Sequence, residues 1–183
     1  MAAKQSLFVP IGISVLLIVG YYLLAPWHPQ LMLQAPQFYQ GAWWQLVTAQ
    51  LLHHNPPHLW FNLAGLWILW LLFPQQFRRN QDWWVVLPIG IASSLFEVLL
   101  SPVSLTYAGF SGALYGLYFY AAGKDAVNKQ WIGMLVMVGL ALKLGWDFMY
   151  PSETVQLAVF AHLGGVVAAM VLILLEQYRQ HSA

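Results

Sequence analysis

The sequence predicts an all-α membrane protein built from six transmembrane helices. Three observations support this fold class. First, 60% of the 183 residues are hydrophobic and 7% are charged, with a mean hydropathy of +0.63, whereas soluble domains carry about a quarter charged residues. Second, long apolar runs recur along the chain, and each should be helical because an unpaired backbone amide is costly in hydrocarbon. Third, prolines, which lack an amide hydrogen, fall at or near the ends of these runs.

The apolar runs give the boundaries of six predicted helices within one domain, residues 1–183. The helices cover residues 7–25, 49–73, 83–100, 110–123, 131–146 and 155–178. The prolines that mark their ends are Pro26, Pro29, Pro56, Pro57, Pro74, Pro102 and Pro151. The fourth run, of about 14 residues, is too short to cross some 30 Å of hydrocarbon at 1.5 Å per residue. We therefore expect a short central helix 4 that begins below the membrane surface.

The first apolar run could also be a secretory signal peptide, since a single Lys4 precedes it. The segment 26–29 that follows it offers no cleavage site of the small-x-small type. A first spanning helix is therefore preferred. The next connection, 26–48, is the only long loop, and because it holds Pro, Trp and Gln but no Lys, Arg, Asp or Glu, we expect it to lie on the outer leaflet.

Cationic side chains predict how the helices are oriented in the membrane. Six of the seven Lys and Arg residues fall on one side of the predicted bundle: Lys4, Arg78, Arg79, Lys124, Lys129 and Arg179. The connections after the first, third and fifth helices contain neither Lys nor Arg, so by the positive-inside rule both termini are cytoplasmic. Tryptophans near the helix ends support the boundaries, because indole rings favour the headgroup region. These are Trp27, Trp43, Trp44, Trp83, Trp84, Trp131 and Trp146.

Composition excludes several other classes of function. The chain contains no cysteine, so it has neither a disulfide framework nor a thiolate nucleophile. A net charge of +1 is too weak and too scattered for a nucleic-acid interface. Any nucleophile must therefore be a hydroxyl, a carboxylate or a lysine.

Polar residues inside spanning segments are costly and are therefore candidates for function. Four groups stand out: His53-His54-x-x-x-His58-x-x-x-Asn62, Gly109-Phe110-Ser111-Gly112-x-x-Tyr115, Ala161-His162-Leu163-Gly164-Gly165, and Lys143 with Asp147 and, at a similar depth, Glu97. In the predicted topology each group lies at the outward end of its helix. Convergence from helices 2, 4 and 6 predicts a single outward-facing site.

Ser111 and His162 are the candidate catalytic residues. Ser111 lies in the first turn of helix 4, where free amides and the helix dipole can stabilise an oxyanion, although an N-cap serine without catalytic function suits the same position. A serine hydroxyl needs a base, and His162 is the histidine buried in a second outward-facing helix end, although such a histidine more often only packs or hydrogen-bonds. Small residues at four-residue spacing would let the two helices approach closely. They are Ala108, Gly112, Gly116, Ala161, Gly165 and Ala169.

His58 and Asn62 are one helical turn apart, so their side-chain N–H groups can point at one oxygen. With the Ser111 amide they would form an oxyanion hole. Two alternatives stay open. His53, His58 and His162 could bind a metal, although their spacing is not that of a helical ligand pair and no inward carboxylate completes the set. Asn62 could instead join two helices by a hydrogen bond.

Four further polar side chains accompany these residues. Tyr115 lies one turn along from the serine and either packs against the site histidine or makes an ordinary helix contact. Lys143 and Asp147 are spaced i,i+4 and should form a structural pair. Glu97 could join that pair or face the site.

Three of these motifs resemble those of the rhomboid intramembrane proteases. In chain order they are His58-x-x-x-Asn62, Gly109-x-Ser111-Gly112-x-x-Tyr115 and Ala161-His162-x-x-Gly165, and the resemblance extends from Trp43-Trp44 to the sixth helix. It implies a rhomboid-like bundle in which Ser111 is the nucleophile and His162 the base of an acyl-transfer dyad without an aspartate. His58, Asn62 and the Ser111 amide would hold the oxyanion, and Tyr115 would support His162. The resemblance implies neither a metal nor a cofactor.

The compact size, the stretch 101–112 and Lys143-x-x-Trp146-Asp147 look closest to the rhombosortases, a bacterial branch with six helices. That branch implies a multi-pass protein of the bacterial inner membrane, with its site open to the periplasm. Its substrates would be exported proteins with a Gly-Gly-containing C-terminal tail that carries a membrane segment and a basic end.

The resemblance also implies a gate and cap formed by helix 5 with Phe148, Met149 and Tyr150. Two positions depart from the rhomboid pattern. Gln45 replaces an arginine that often follows the Trp, and Ala49 stands where some members have histidine. These departures bear on the first loop and leave the dyad unaffected.

Two other functions compete with proteolysis. A non-catalytic rhomboid-like protein would bind transmembrane helices without cleaving them, but such relatives characteristically lose the serine or the histidine, and this chain keeps both. A membrane redox protein that holds a metal or haem would be exposed by a metal assay and a visible spectrum.

Overall fold

The computed structural model describes residues 6–101, 106–150 and 158–182, and this part of the chain is mostly helical. Its α-helices are α1 (Phe8–Tyr22), α2 (His28–Leu31), α3 (Ala35–Tyr39), α4 (Gln45–Thr48), α5 (Pro56–Leu72), α6 (Val86–Leu100), α7 (Ser111–Val127), α8 (Trp131–Met149) and α9 (Val159–His181). Short 3-10 helices cover Ala25–Trp27, Ala49–Leu51 and Asn80–Val85. Two short strands, β1 (Leu33–Gln34) and β2 (Thr106–Tyr107), pair with each other.

Some sequence-based expectations lie outside the described residues. They are the cytoplasmic Lys4, the helix ends at Pro102 and Pro151, and the start of the sixth helix at Val155.

Three helical segments of the described chain are long and apolar enough to cross a membrane: Asn80–Leu100, Trp131–Met149 and Val159–His181. A fourth span results if Phe8–Tyr22 and Ala25–Leu31, which meet at a 68° bend, are counted as one. The helices α5 and α7 have 17 residues each, which is about 25 Å of helix and less than the usual hydrocarbon thickness. The count of six spans therefore stays a prediction.

The second helix begins seven residues later than the apolar run suggested. Asn55 is the N-cap of α5, and its side chain accepts a hydrogen bond from the His58 backbone N–H at 2.9 Å. Pro56 and Pro57 occupy the first helical positions, where a missing amide hydrogen costs nothing. The upstream residues Ala49–Leu51 form a separate 3-10 turn. The prolines therefore start this helix instead of interrupting it, and His53 lies before it.

The central helix is α7, which packs against α5, α6, α8 and α9. It begins at Ser111 and ends at Val127, so it is longer than the 14 residues expected and no shorter than α1 or α6. The main apolar core combines side chains of α1, α5, α6, α7 and α9. In contrast, the buried residues of α8 are only Gly133 and Asp147. The helix α8 thus buries the smallest share of its residues among the long helices in the described part of the chain.

Small residues bring α7 and α9 into backbone contact. A Cβ atom added to Gly116 would lie 2.5 Å from the Gly165 carbonyl oxygen, and one added to Gly165 would lie 2.1 Å from the Gly112 carbonyl oxygen. Side chains at these positions would overlap the neighbouring backbone, so only glycine permits this approach. The predicted close approach of the two small-residue ladders is confirmed.

The connection 26–48 is not a simple loop, and the chain is not purely α-helical. It contains α2, α3, α4 and β1, and β1 pairs antiparallel with β2, Leu33 opposite Tyr107. Gln45 is fully buried; its side-chain amide donates to the Gln30 carbonyl oxygen at 3.1 Å and to Gln37 Oε1 at 2.6 Å. These hydrogen bonds pair polar groups of the connection with each other. The segment has no sequence periodicity that would predict them.

Candidate active site

Ser111 and His162 face each other where the N-terminal ends of α7 and α9 meet. Ser111 Oγ lies 3.1 Å from His162 Nε2, a hydrogen-bond distance. The N-cap position of α7 is taken by Phe110, and Ser111 is the first residue of the helix. The serine therefore does not cap the helix, and its hydroxyl is directed to the imidazole. The amides of this first turn have no partner within the helix and carry the positive end of its dipole.

The His162 imidazole is held mainly by a ring contact. The Tyr115 ring stacks on it with centroids 4.0 Å apart and planes inclined by 5°. The His162 side chain is 5% exposed, and its Nδ1 atom is buried without a hydrogen-bond partner among the described residues. The described part of the chain therefore supplies no carboxylate to Nδ1, and the orientation of the imidazole depends on the Ser111 contact and on the Tyr115 stack.

Glu97 anchors the helix that carries the histidine. Its Oε2 atom accepts a hydrogen bond from the Ala161 backbone N–H at 2.9 Å, and its Oε1 atom accepts one from the Ser101 hydroxyl at 2.5 Å. Glu97 is buried. A carboxyl group that binds a first-turn amide favours the helix terminus. Glu97 thus fixes the residue next to His162 in place and does not join Lys143 and Asp147 by any hydrogen bond in the described structure.

His58 approaches the same region from α5, and Asn62 lies one turn further along that helix. A Cβ atom added to Gly109 would lie 2.6 Å from His58 Cε1, so the imidazole packs directly on the glycine two residues before Ser111. Gly109 has a φ of +150°, a conformation that L side chains rarely adopt. Asn62 is 4% exposed, and its Nδ2 atom has no hydrogen-bond partner in the described chain. The amide hydrogens therefore join no second helix here and remain available to an acceptor.

Two further histidines, His53 and His54, lie against His58. His53 is buried, and its ring meets the His58 ring edge-on at a centroid distance of 5.0 Å. Burial, followed by the neighbouring His58 and His54, lowers the pKa of His53 to about 3, so this imidazole is uncharged near neutral pH. Across residues 6–101, 106–150 and 158–182, no three His, Asp or Glu side chains form a group that could hold a metal ion.

Lys143 and Asp147 pair as the i,i+4 spacing predicted. Lys143 Nζ lies 2.5 Å from Asp147 Oδ1 and 2.6 Å from Oδ2. The predicted pair is therefore confirmed. Its partners are unequally buried, with side-chain exposures of 52% for Lys143 and 2% for Asp147.

The structure adds polar residues that sequence reasoning did not select. The Tyr107 hydroxyl donates to the Gly109 carbonyl oxygen at 2.8 Å, and the Gly109 N–H donates to the Ala49 carbonyl oxygen at 3.0 Å. The Gln50 side-chain amide donates to Ser94 Oγ at 2.7 Å. These contacts hold the segment that leads into Ser111. They join residues more than 40 positions apart or lie in irregular backbone, so no local pattern signals them.

Comparison with known proteins identifies the fold. The model of the rhomboid domain matches residues 40–179, which is most of the chain. The chain belongs to the rhomboid family. The rhomboid match includes Ser111, His162, His58, Asn62 and Tyr115, and it leaves α1, α2 and α3 outside.

Two relatives indicate the range of this family. The rhomboid protease GluP of Bacillus subtilis is 28% identical over 132 residues, which cover 70% of this chain and 25% of GluP. The chloroplastic rhomboid-like protein 11 of Arabidopsis thaliana is 28% identical over 119 residues, which cover 65% of this chain and 36% of that protein. The chain thus spans between a quarter and about a third of the length of these relatives. Members of the rhomboid family are typically intramembrane serine proteases.

Proposed function

We propose that this rhomboid protein is an intramembrane serine endopeptidase with Ser111 as nucleophile and His162 as general base. The observation that carries the proposal is the 3.1 Å contact between Ser111 Oγ and His162 Nε2, where α7 meets α9, a helix long and apolar enough to cross a membrane. Burying a polar pair among membrane helices costs free energy, so a pair at this position is expected to have a function. Membership of a family that typically contains serine proteases supports the same activity.

The reaction is an acyl transfer in two halves. Neutral His162 accepts the Ser111 proton at Nε2 while Oγ attacks the carbonyl carbon of the scissile peptide bond. The imidazolium then returns this proton to the leaving amine, which departs and leaves an acyl-serine. Water then attacks the ester as it loses a proton to His162, the bond between the acyl carbon and Oγ breaks, and the imidazolium returns the proton to Oγ, which regenerates the Ser111 hydroxyl.

The negative oxygen of each tetrahedral intermediate needs preorganised donors. The Ser111 amide, the Asn62 Nδ2 group and the His58 imidazole are the proposed donors. Support comes from the buried Asn62 amide hydrogens without a partner in the described chain, and from the His58 ring packed on Gly109. Donors that are already in place cost no reorganisation during the reaction. Tyr115 supports the imidazole by the stacking contact.

The proposed topology has six spans, with both termini in the cytoplasm of a bacterial cell and the site open to the periplasm. The six helices of 15 residues or more found among the described residues support the count. The distribution of Lys and Arg supports the orientation. In this arrangement, the N-terminal ends of α7 and α9, with Ser111 and His162, lie toward the periplasmic side of the inner membrane.

The proposed substrate is a membrane-anchored protein, cleaved within a transmembrane segment or a C-terminal tail of the Gly-Gly type cut by rhombosortases. A substrate helix would enter beside α8, which buries few of its residues and whose end carries exposed Phe148, Met149 and Tyr150. Loose packing lowers the cost of moving a helix aside.

Labelling by a fluorophosphonate probe tests the activity. The purified protein in proteoliposomes should be labelled covalently, and Ser111→Ala and His162→Ala should abolish labelling while the protein still inserts. Ser14→Ala is a matched control, because the Ser14 hydroxyl bonds the Pro10 carbonyl oxygen within α1, outside the site. Equal labelling of the wild type and Ser111→Ala would contradict the proposal and favour a non-catalytic protein that binds transmembrane helices.

Co-expression tests the substrate class. Candidate exported proteins with Gly-Gly-type tails should lose their C-terminal segments in cells with the wild type and keep them with Ser111→Ala. Mass spectrometry of their C-termini gives the cleavage position. Intact tails in both strains, with Ser111-dependent labelling preserved, would reject the rhombosortase-type substrate and leave the protease activity.

A further inference from the structure

Asp147 is the one ionisable residue that α8 buries in the described structure. Its side chain is 2% exposed, whereas the paired Lys143 side chain is 52% exposed. The only other buried residue of α8 is Gly133. Placing a carboxylate inside a membrane protein is costly even when it is paired, and such a pair is weak evidence of a contribution to stability. The position of Asp147 therefore calls for a role other than packing.

The surroundings of Asp147 lead to the candidate dyad. The Tyr115 hydroxyl interacts electrostatically with both Lys143 and Asp147. The ring of the same tyrosine stacks on His162 at 4.0 Å. His162 also interacts electrostatically with Asp147 and Lys143. One side chain, Tyr115, thus connects the ion pair of α8 to the imidazole of α9.

The imidazole lacks the usual means of orientation. Serine hydrolases with a triad hold the histidine through a carboxylate on Nδ1, whereas His162 Nδ1 has no hydrogen-bond partner among the described residues. The ring orientation then depends on the Ser111 contact and on the Tyr115 stack, and the Tyr115 hydroxyl is within the electrostatic influence of the ion pair.

On this basis, we infer that Asp147, held by Lys143, is a positioning residue that fixes the Tyr115 ring against His162. The inference rests on the proposed function, because it concerns the same dyad. Asp147 acts through the tyrosine and touches neither the substrate nor the reacting atoms.

The chain offers a matched control at the other end of the bundle. Lys124 Nζ lies 2.8 Å from Glu176 Oε2, and the Tyr120 hydroxyl donates to Glu176 Oε1 at 2.5 Å. This group again combines a lysine, a carboxylate and a tyrosine, and it joins α7 to α9. Along α7, Tyr120 and Lys124 lie about 14 and 20 Å from Ser111 at 1.5 Å per residue. Its loss should affect folding stability and leave the dyad alone.

The test measures how fast a fluorophosphonate probe labels Ser111 in the full-length protein in proteoliposomes, over a range of probe concentrations. Asp147→Asn should lower the maximal labelling rate about ten-fold, since small misplacements of catalytic groups are costly, and leave the half-saturating probe concentration unchanged. Glu176→Gln should label as the wild type does. Thermal unfolding of each variant separates this effect from lost stability.

A double-mutant cycle of labelling rates tests whether Asp147 acts through Tyr115. A purely structural ion pair would show no such coupling. Tyr115→Phe keeps the ring and removes the hydroxyl, so it should lower the maximal rate as Asp147→Asn does. The double variant should be no slower than the slower single variant, because both changes break the same connection. Additive losses would overturn the inference.

The outcomes also separate this inference from the proposed function. If labelling does not depend on Ser111, the protease proposal fails. If labelling depends on Ser111 but Asp147→Asn keeps the wild-type rate, only the positioning role is refuted. Should Asp147→Asn fail to accumulate, Tyr115→Phe decides alone, and a wild-type rate for that variant overturns the inference.

Discussion

At the scale of single residues, the donors around Ser111 decide whether the site can hold an oxyanion. Ser111 Oγ and His162 Nε2 provide a nucleophile and a base, but neither stabilises the charge that forms on the carbonyl oxygen. Asn62 has buried amide hydrogens without a partner in the described chain. A buried unpaired donor costs stability, so its retention is most simply explained by an acceptor that is present only during the reaction.

Asn62→Ala should therefore lower kcat about 10²- to 10³-fold, as the loss of one oxyanion-hole donor does in other serine proteases. KM should change little, because the interaction forms mainly in the transition state. Steady-state cleavage of a transmembrane substrate in proteoliposomes measures both constants.

Asn128→Ala is the control for this substitution. The Asn128 side chain donates to the Lys124 carbonyl oxygen at the exposed end of α7, far from the serine. It should leave both constants unchanged. Wild-type kcat for Asn62→Ala would remove Asn62 from the proposed oxyanion hole without affecting the dyad.

The chemistry-bearing residues could be selected from the sequence, whereas several of their supports could not. Ser111, His162, His58 and Asn62 are polar residues in apolar runs, which marks them without any structure. Tyr107, which holds the Gly109 carbonyl oxygen, follows no such run and depends on the pairing of two short strands distant in sequence. The catalytic roles themselves stay predictions until the variants are measured.

At the scale of helices, the contact between α7 and α9 sets the distance between nucleophile and base. The Gly165 Cα faces the Gly112 carbonyl oxygen, where an added Cβ would approach to 2.1 Å. Any side chain at this position must separate the two helices. Because Ser111 precedes Gly112 directly and His162 lies about one turn before Gly165, separation would also lengthen the distance between Oγ and Nε2.

Gly165→Ala should therefore reduce both stability and activity. Overpacking of this kind costs about 1–3 kcal/mol, which should lower the Tm in detergent, and the rate of fluorophosphonate labelling should fall further than the loss of folded protein explains. Gly139→Ala on α8 is the control, because nothing lies within 4 Å of its added Cβ, and alanine favours a helix by about 1 kcal/mol. An unchanged Tm for Gly165→Ala would contradict the close packing.

Sequence patterns predicted some features of the helices and missed others. Apolar runs located the six long helices because hydrocarbon forces backbone hydrogen bonds to be internal. The start of α5 differed from the prediction because Pro56 and Pro57 follow the N-cap Asn55 and begin the helix. The structure of residues 26–48 could not be read from periodicity, because its elements span two to five residues each and are fixed by hydrogen bonds such as those of Gln45.

At the scale of the whole molecule, the rhomboid match covers residues 40–179 and leaves the helices α1, α2 and α3 outside it. Residues 40–179 contain every proposed site residue and the helices α4 to α8, together with most of α9. Within that core, α7 is surrounded by other helices, whereas α8 packs mainly on α7 and buries few of its residues. This combination suits an enzyme that keeps its dyad rigid and admits a substrate helix at one side.

The proposed orientation of this core in the membrane can be measured, because the chain contains no cysteine. A single introduced cysteine is the only thiol in the chain. Gln40→Cys, at an exposed position before α4, should react with a membrane-impermeant maleimide added to spheroplasts. Gln130→Cys and Gln180→Cys, both at exposed positions near the cationic side chains, should react only after the membrane is permeabilised.

The cysteine-free wild type is the negative control for labelling. The reverse labelling pattern would place Ser111 and His162 on the cytoplasmic side, where exported proteins could not be cleaved after translocation, and would reject a periplasmic site while leaving the dyad chemistry intact.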